Sequence, residues 1–171
     1  KKKAFQFKHA DLVDTYTTLM TLFDNEFTYD RETPPEHFIR KDIKAFINER
    51  ILIPHTTLPD TYDITPEGYR RLNCFASFLN TYLESYLVVV HFFKRHPERE
   101  ADTKADLKKI QSIGRRMFKN HDIELSESLS EISYKNALTY FTQKGLGDVG
   151  AEDKIRYYTE TLEEFITLVR D

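Results

Sequence analysis

The chain has 171 residues, 40% hydrophobic and 31% charged, a length and composition that bury a core without metals or disulfides and exclude a disordered chain. A net charge of -3 and a pI near 6.1 exclude an overall basic field of the kind that gathers nucleic acid. The single cysteine, Cys74, excludes an internal disulfide and a thiolate metal cluster, and fits a reducing, cytoplasmic setting.

Lys1, Lys2, Lys3 and Lys8 form a basic cluster at the start, followed by Ala4, Phe5, Gln6 and Phe7 rather than the sustained apolar stretch of a signal peptide. The chain begins without methionine, which reads as the start of a fragment cut from something larger. From about residue 11 to 24, Leu12, Val13, Tyr16, Leu19, Met20 and Phe23 recur at spacings of three and four, which predicts a helix with one apolar face. Thr33, Pro34, Pro35 and Glu36 then read as a helix start, with Thr33 as cap and Glu36 completing a capping box. That helix runs to about residue 49, with Phe38, Ile39, Ile43, Phe46 and Ile47 inward.

Ile51, Leu52 and Ile53, then Tyr62, Asp63 and Ile64, are short β-prone runs separated by a loop whose prolines forbid helix. The order helix, strand, loop, strand, helix is that of a small winged-helix-like hairpin near residues 50–64. Thr65 and Pro66 repeat the cap-plus-proline start and open an apolar-periodic stretch that stops only at Pro97. This is the spine of the chain. Between Leu79 and Phe93 it is apolar on more than one face, as befits a helix surrounded by others or docked on a partner. Within it Cys74, among Leu72, Phe75, Phe78 and Leu79, reads as buried packing.

Next comes an amphipathic helix over about 102–119, through Leu107, Ile110, Ile113 and Met117, its cations a solvated face. The polar stretch 120–130 is tethered by Ile123, Leu125 and Leu129. Ser130 caps a helix through Tyr134, Ala137, Leu138 and Phe141, ended by Gly145. After a glycine turn, Ile155, Tyr158, Leu162, Phe165 and Val169 predict a final docked helix. The fold class is mainly α: a helical bundle around one long central helix with the small hairpin. The chain reads as a single helical domain, with possible subdomains at 9–70 and 71–171.

Tests for chemistry are negative. His9 and Asp14 have the spacing of a His-x-x-x-x-Asp pair, in which a carboxylate orients a histidine that takes a hydroxyl proton, but no Gly-rich phosphate or oxyanion segment follows. The histidines at 37, 55, 91, 96 and 121 show no metal-ligand spacing, and no cofactor is called for. His91 and Glu84 are two helical turns apart and read as a satisfied buried pair. Gly145, Gly147 and Gly150 follow a helix rather than a strand, the wrong context for a phosphate loop. Against DNA, Arg40, Lys41 and Lys44 share their helix with Glu36, Asp42 and Glu49, and the loop 54–61 has no lysine or arginine, so nucleic acid is an unlikely partner.

Several stretches together resemble the region carboxy-terminal to the catalytic domain of glycerol-3-phosphate and dihydroxyacetone-phosphate acyltransferases. They are LFDNEFTYD at 22–30, YDITPEG at 62–68, Phe75, Ala76 and Leu79 with YLESY at 82–86, LSESLS at 125–130 and NALTYF at 136–141. They cover roughly residues 11–146. The resemblance implies a parent enzyme of phospholipid biosynthesis that moves a fatty acyl group from an acyl thioester to glycerol-3-phosphate at a membrane surface. It implies that the catalytic His-x-x-x-x-Asp block lies upstream of Lys1. No catalytic residue, cofactor or metal ligand is therefore assigned here. The implied partner is the upstream catalytic domain of the same chain and, through it, the membrane and the thioester. Glu84, Ser85 and Tyr86, polar groups in an apolar run, are the expected interdomain contact.

Overall fold

The computed structural model describes residues 6–97 and 102–170, so Lys1, Lys2 and Lys3 of the basic cluster lie outside the described residues. The chain divides into two compact units, Lys1–Phe75 and Ala76–Asp171.

The first unit contains β1 (Gln6–Lys8), α1 (His9–Leu22), α2 (Pro35–Asn48), β2 (Leu52–Pro54), β3 (Thr61–Ile64) and the opening turns of α3 (Pro66–Arg95). The strands form an antiparallel sheet in the order β1-β3-β2, with Phe7 opposite Tyr62 and Ile53 opposite Asp63. The hairpin was expected and β1 was not. Three residues are too few to show a period of two, and β1 is fixed instead by its neighbour, through the ladder and the Phe7–Tyr62 ring contact at 5.7 Å. Ile39 and Ile43 of α2 pack with Ile51 and Leu52, and Leu12, Val13 and Tyr16 of α1 close over them.

The start of α2 corrects the expected capping box. Pro34, not Thr33, is the N-cap and makes no side-chain cap, while Thr33 Oγ1 donates to Asp30 Oδ2 at 2.8 Å. The aspartate wins the hydroxyl because it is a charged acceptor close by, whereas Pro35 brings no N–H to the first turn. At the start of α3 the expected cap is present: Thr65 Oγ1 accepts from the Gly68 amide at 2.9 Å and donates to the Arg50 carbonyl at 2.9 Å. Gly68 lies so close to the Ile51 carbonyl that a Cβ would sit 2.2 Å from its oxygen.

The second unit holds the rest of α3, α4 (Thr103–Lys119), a 3-10 turn (Ser126–Leu129), α5 (Glu131–Gln143) and α6 (Glu152–Arg170). As the sequence predicts, α3 is apolar all round here: Leu83, Tyr86, Leu87, Val88, Val89 and Val90 are buried. Tyr86 and Phe93 meet Phe141 of α5 edge to face, and Ile155, Leu162 and Ile166 of α6 are buried as well. Asp102 caps α4 by accepting from the Lys104 and Ala105 amides, and Ser130 caps α5 through the Ser133 amide.

Three helices end alike. In α2, α4 and α5 the residue after the cap has a positive φ, with the paired return hydrogen bonds of a Schellman turn, such as Leu146 N–H to the Phe141 carbonyl and Gly145 N–H to the Thr142 carbonyl. Gly145 supplies that conformation for α5, as its glycine announces. Arg50 (φ 58°) and His121 (φ 62°) supply it for α2 and α4.

Candidate functional site

The most built polar site lies in the second unit, around Glu84. Its side chain projects from α3 and is 0% exposed. Oε1 accepts from the Glu124 amide at 3.1 Å and Oε2 from the Leu125 amide at 3.0 Å and Ser128 Oγ at 2.7 Å. Arg170, in the last turn of α6, donates to Oε1 at 2.6 Å and lies 3.3 Å from the Glu124 carboxylate. Asn80, one turn earlier on α3, donates to Oε1 at 3.4 Å. Ser85 Oγ donates to the carbonyls of Thr81 and Ser128, both at 2.8 Å. A carboxylate taken from water needs such a set of donors, because isolated it would cost several kcal/mol. Here one cation and several neutral donors supply it. No lone pair of Glu84 faces an open space, so the cluster is an internal tie between α3, the 124–128 loop and the end of α6.

This arrangement corrects one expectation. Glu84 pairs with Arg170 rather than with His91, because the arginine reaches in from α6, 86 residues away in sequence. His91 is mostly buried, and burial first, then Arg95 and Lys94, lowers its pKa, against a smaller opposing effect of Asp122. Glu84, Ser85 and Tyr86, the three polar groups of the apolar run, are all 0% exposed in this chain, with the hydrogen bonds of Glu84 and Ser85 and the ring contacts of Tyr86 made inside the unit.

Exposed apolar surface on α3 lies earlier. Cys74 is exposed rather than buried, and Phe75 and Phe78 are 64% and 59% exposed. Periodicity placed all three on an inward face, yet that stretch of helix precedes the point where α3 is enclosed. Phe78 stands edge to face against Tyr82 at 5.6 Å.

His9 and Asp14 do not form a couple. His9 is buried as the first residue of α1, with its amide on the Asp60 carbonyl at 3.1 Å and its Nε2 without a hydrogen-bond partner. Asp14 is exposed, and a separation of five residues turns it roughly 140° around the helix.

A groove of about 680 Å³ runs between the end of α3, the 145–150 turn and α6. Its lining mixes apolar Leu146, Val149 and Ile155 with charged Lys94, Arg156, Glu160 and Glu163. Its lining hydroxyl, Thr159 Oγ1, donates to the Ile155 carbonyl at 2.7 Å, and no imidazole or thiol lines it. Among the described residues, no group of three or more histidine, cysteine or acidic side chains is placed to hold a metal ion. Nor, among them, is any helix long and apolar enough to cross a membrane.

Residues 2–149 match the family described as the glycerol-3-phosphate acyltransferase C-terminal region. No curated protein and no solved structure matches the chain.

Proposed function

The chain belongs to the glycerol-3-phosphate acyltransferase C-terminal region family, and from that premise we propose that it is the non-catalytic helical region of a membrane-associated enzyme of phospholipid biosynthesis, supporting an upstream catalytic domain of the same chain. The observation that carries this reading is the internal use of Glu84. This buried, highly connected carboxylate orders a loop and a terminal helix and leaves no position for a substrate. Its work is shape. The surface offered to the catalytic domain is then the open part of α3 at Phe78, with Tyr82 against it, since exposed aromatics on a rigid helix make strong contact residues. The parent enzyme is cytoplasmic and peripheral to the membrane, and the acyl thioester and glycerol-3-phosphate bind upstream.

A DNA-binding reading of the hairpin has less support. Its loop carries Asp60 and no lysine or arginine, and Asp60 faces Arg40 of α2 at 3.9 Å, which occupies one of the helix's few cations.

The test joins this chain to its upstream sequence and measures acyl transfer to glycerol-3-phosphate. The expected result is activity for the joined protein, none for the chain alone, and a several-fold loss on Phe78→Asp without a lower melting temperature for the chain. A catalytic domain that works at full rate and stability without residues 1–171 sinks the reading.

A further inference from the structure

We propose that the outward face of α4 is a docking surface for a membrane rich in anionic headgroups. Lys104, Lys108, Lys109, Arg115, Arg116 and Lys119 are all exposed. With 100° of rotation per residue, the six occupy roughly 140° of the helix circumference and about 22 Å of its length. The other residues in that arc are Ala105 and Ser112, so it contains no acid. Asp106, the acid of this helix, is on the buried side at 1% exposure. Several arginines elsewhere are matched: Arg31 with Asp24, Arg71 with Glu49 and Arg156 with Asp153, each within 2.7 Å. None of the six side chains on α4 takes part in a hydrogen bond or ion pair among the described residues. In a chain of net charge -3, six unmatched cations on one face are a local field opposite in sign to the whole.

The chemistry of the arc selects its occupant. Nucleic-acid bases stack on aromatic side chains, and the arc has none. It is a straight convex row of four lysines and two arginines, suited to many phosphates spread over a plane. It lacks the large apolar side chains that would insert between acyl chains, so the contact is electrostatic and screened within a Debye length of about 8 Å at physiological salt. The inference rests on the proposed function. Acylation of glycerol-3-phosphate yields an amphiphile that keeps its phosphate, so such an enzyme works beside an anionic lipid surface.

The experiment is sedimentation of the 171-residue chain with vesicles of phosphatidylcholine alone and of phosphatidylcholine with phosphatidylglycerol. The expected result is binding to the anionic vesicles only, loss of that binding at high salt, and a reduction on the order of 100-fold when Lys108→Glu, Arg115→Glu and Lys119→Glu are combined. The three sites are exposed, so the helical circular dichroism is expected to be unchanged. The set Lys108→Gln, Arg115→Gln and Lys119→Gln serves if the reversals do not fold. Equal binding to neutral vesicles, full binding by the variants, or retention of duplex DNA without vesicle binding would each overturn the proposal. The supporting role toward the catalytic domain fails on a different measurement, the activity of that domain without this chain, so either can fall alone.

Discussion

Arg170 and Glu84 meet at 2.6 Å across 86 residues of sequence, the arginine 29% exposed and the carboxylate fully buried. The pair is thus asymmetric: one partner can return to water and the other cannot.

Removing the buried member takes the acceptor from several donors at once. Glu84→Ala strands the Glu124 and Leu125 amides and the Ser128 hydroxyl while the guanidinium returns to water, and is expected to lower stability by about 3–5 kcal/mol. Arg170→Ala leaves the neutral donors in place and is expected to cost less than Glu84→Ala. Urea unfolding of the two variants checks the order, and equal or reversed losses would contradict it.

Gly114 and Tyr134 make a second prediction. A Cβ at Gly114 would lie 2.2 Å from the Tyr134 hydroxyl, which is buried without a hydrogen-bond partner. Gly114→Ala is expected to destabilise by about 1–3 kcal/mol through overpacking. Tyr134→Phe removes a desolvated hydroxyl at little or no cost. The double variant should recover most of the alanine's loss, a coupling that a double-mutant cycle measures directly. Burial also raises the Tyr134 pKa, opposed by the smaller effect of Arg115, so the phenol should stay protonated where exposed tyrosines ionise.

His91 gives a pH dependence. Burial holds its pKa below the ordinary histidine range, so the unfolded chain binds the proton more tightly than the folded one. The stabilisation is complete above the unfolded pKa and is lost as pH falls through the folded value. Proton NMR should find the His91 ring titrating at lower pH in the folded chain than in the unfolded one, and His91→Gln should flatten the decline of stability on the acid side of neutrality. A ring that titrates at the same pH in both states would contradict this.

The helices were legible because each announces itself within a few residues: Thr65 and Ser130 as caps, Gly145 as a stop, and the all-round apolar stretch of α3 as an enclosed helix. What stayed hidden depends on partners distant in sequence. β1 has its reason in β3, and the partner of Glu84 lies near the other end of the chain. Arg50 and His121 end helices in a conformation normally signalled by glycine, so the sequence placed the stops near residues 49 and 119 without showing the left-handed turn that makes them. Cys74, Phe75 and Phe78 show the converse limit. A period of 3.6 identifies a stripe but does not say whether anything covers it.

The carboxylate of Glu84 also sets how the second unit breathes. Because the 124–128 loop and the last turn of α6 hold the same carboxylate and share its Oε1, neither can let go without leaving the other's donors facing a half-satisfied buried charge. A frayed C-terminus is ordinarily the first part of a domain to admit solvent. Here the final turn and an interior loop share one fate, and the amides of Glu124 and Leu125 should exchange with solvent only in openings large enough to free both.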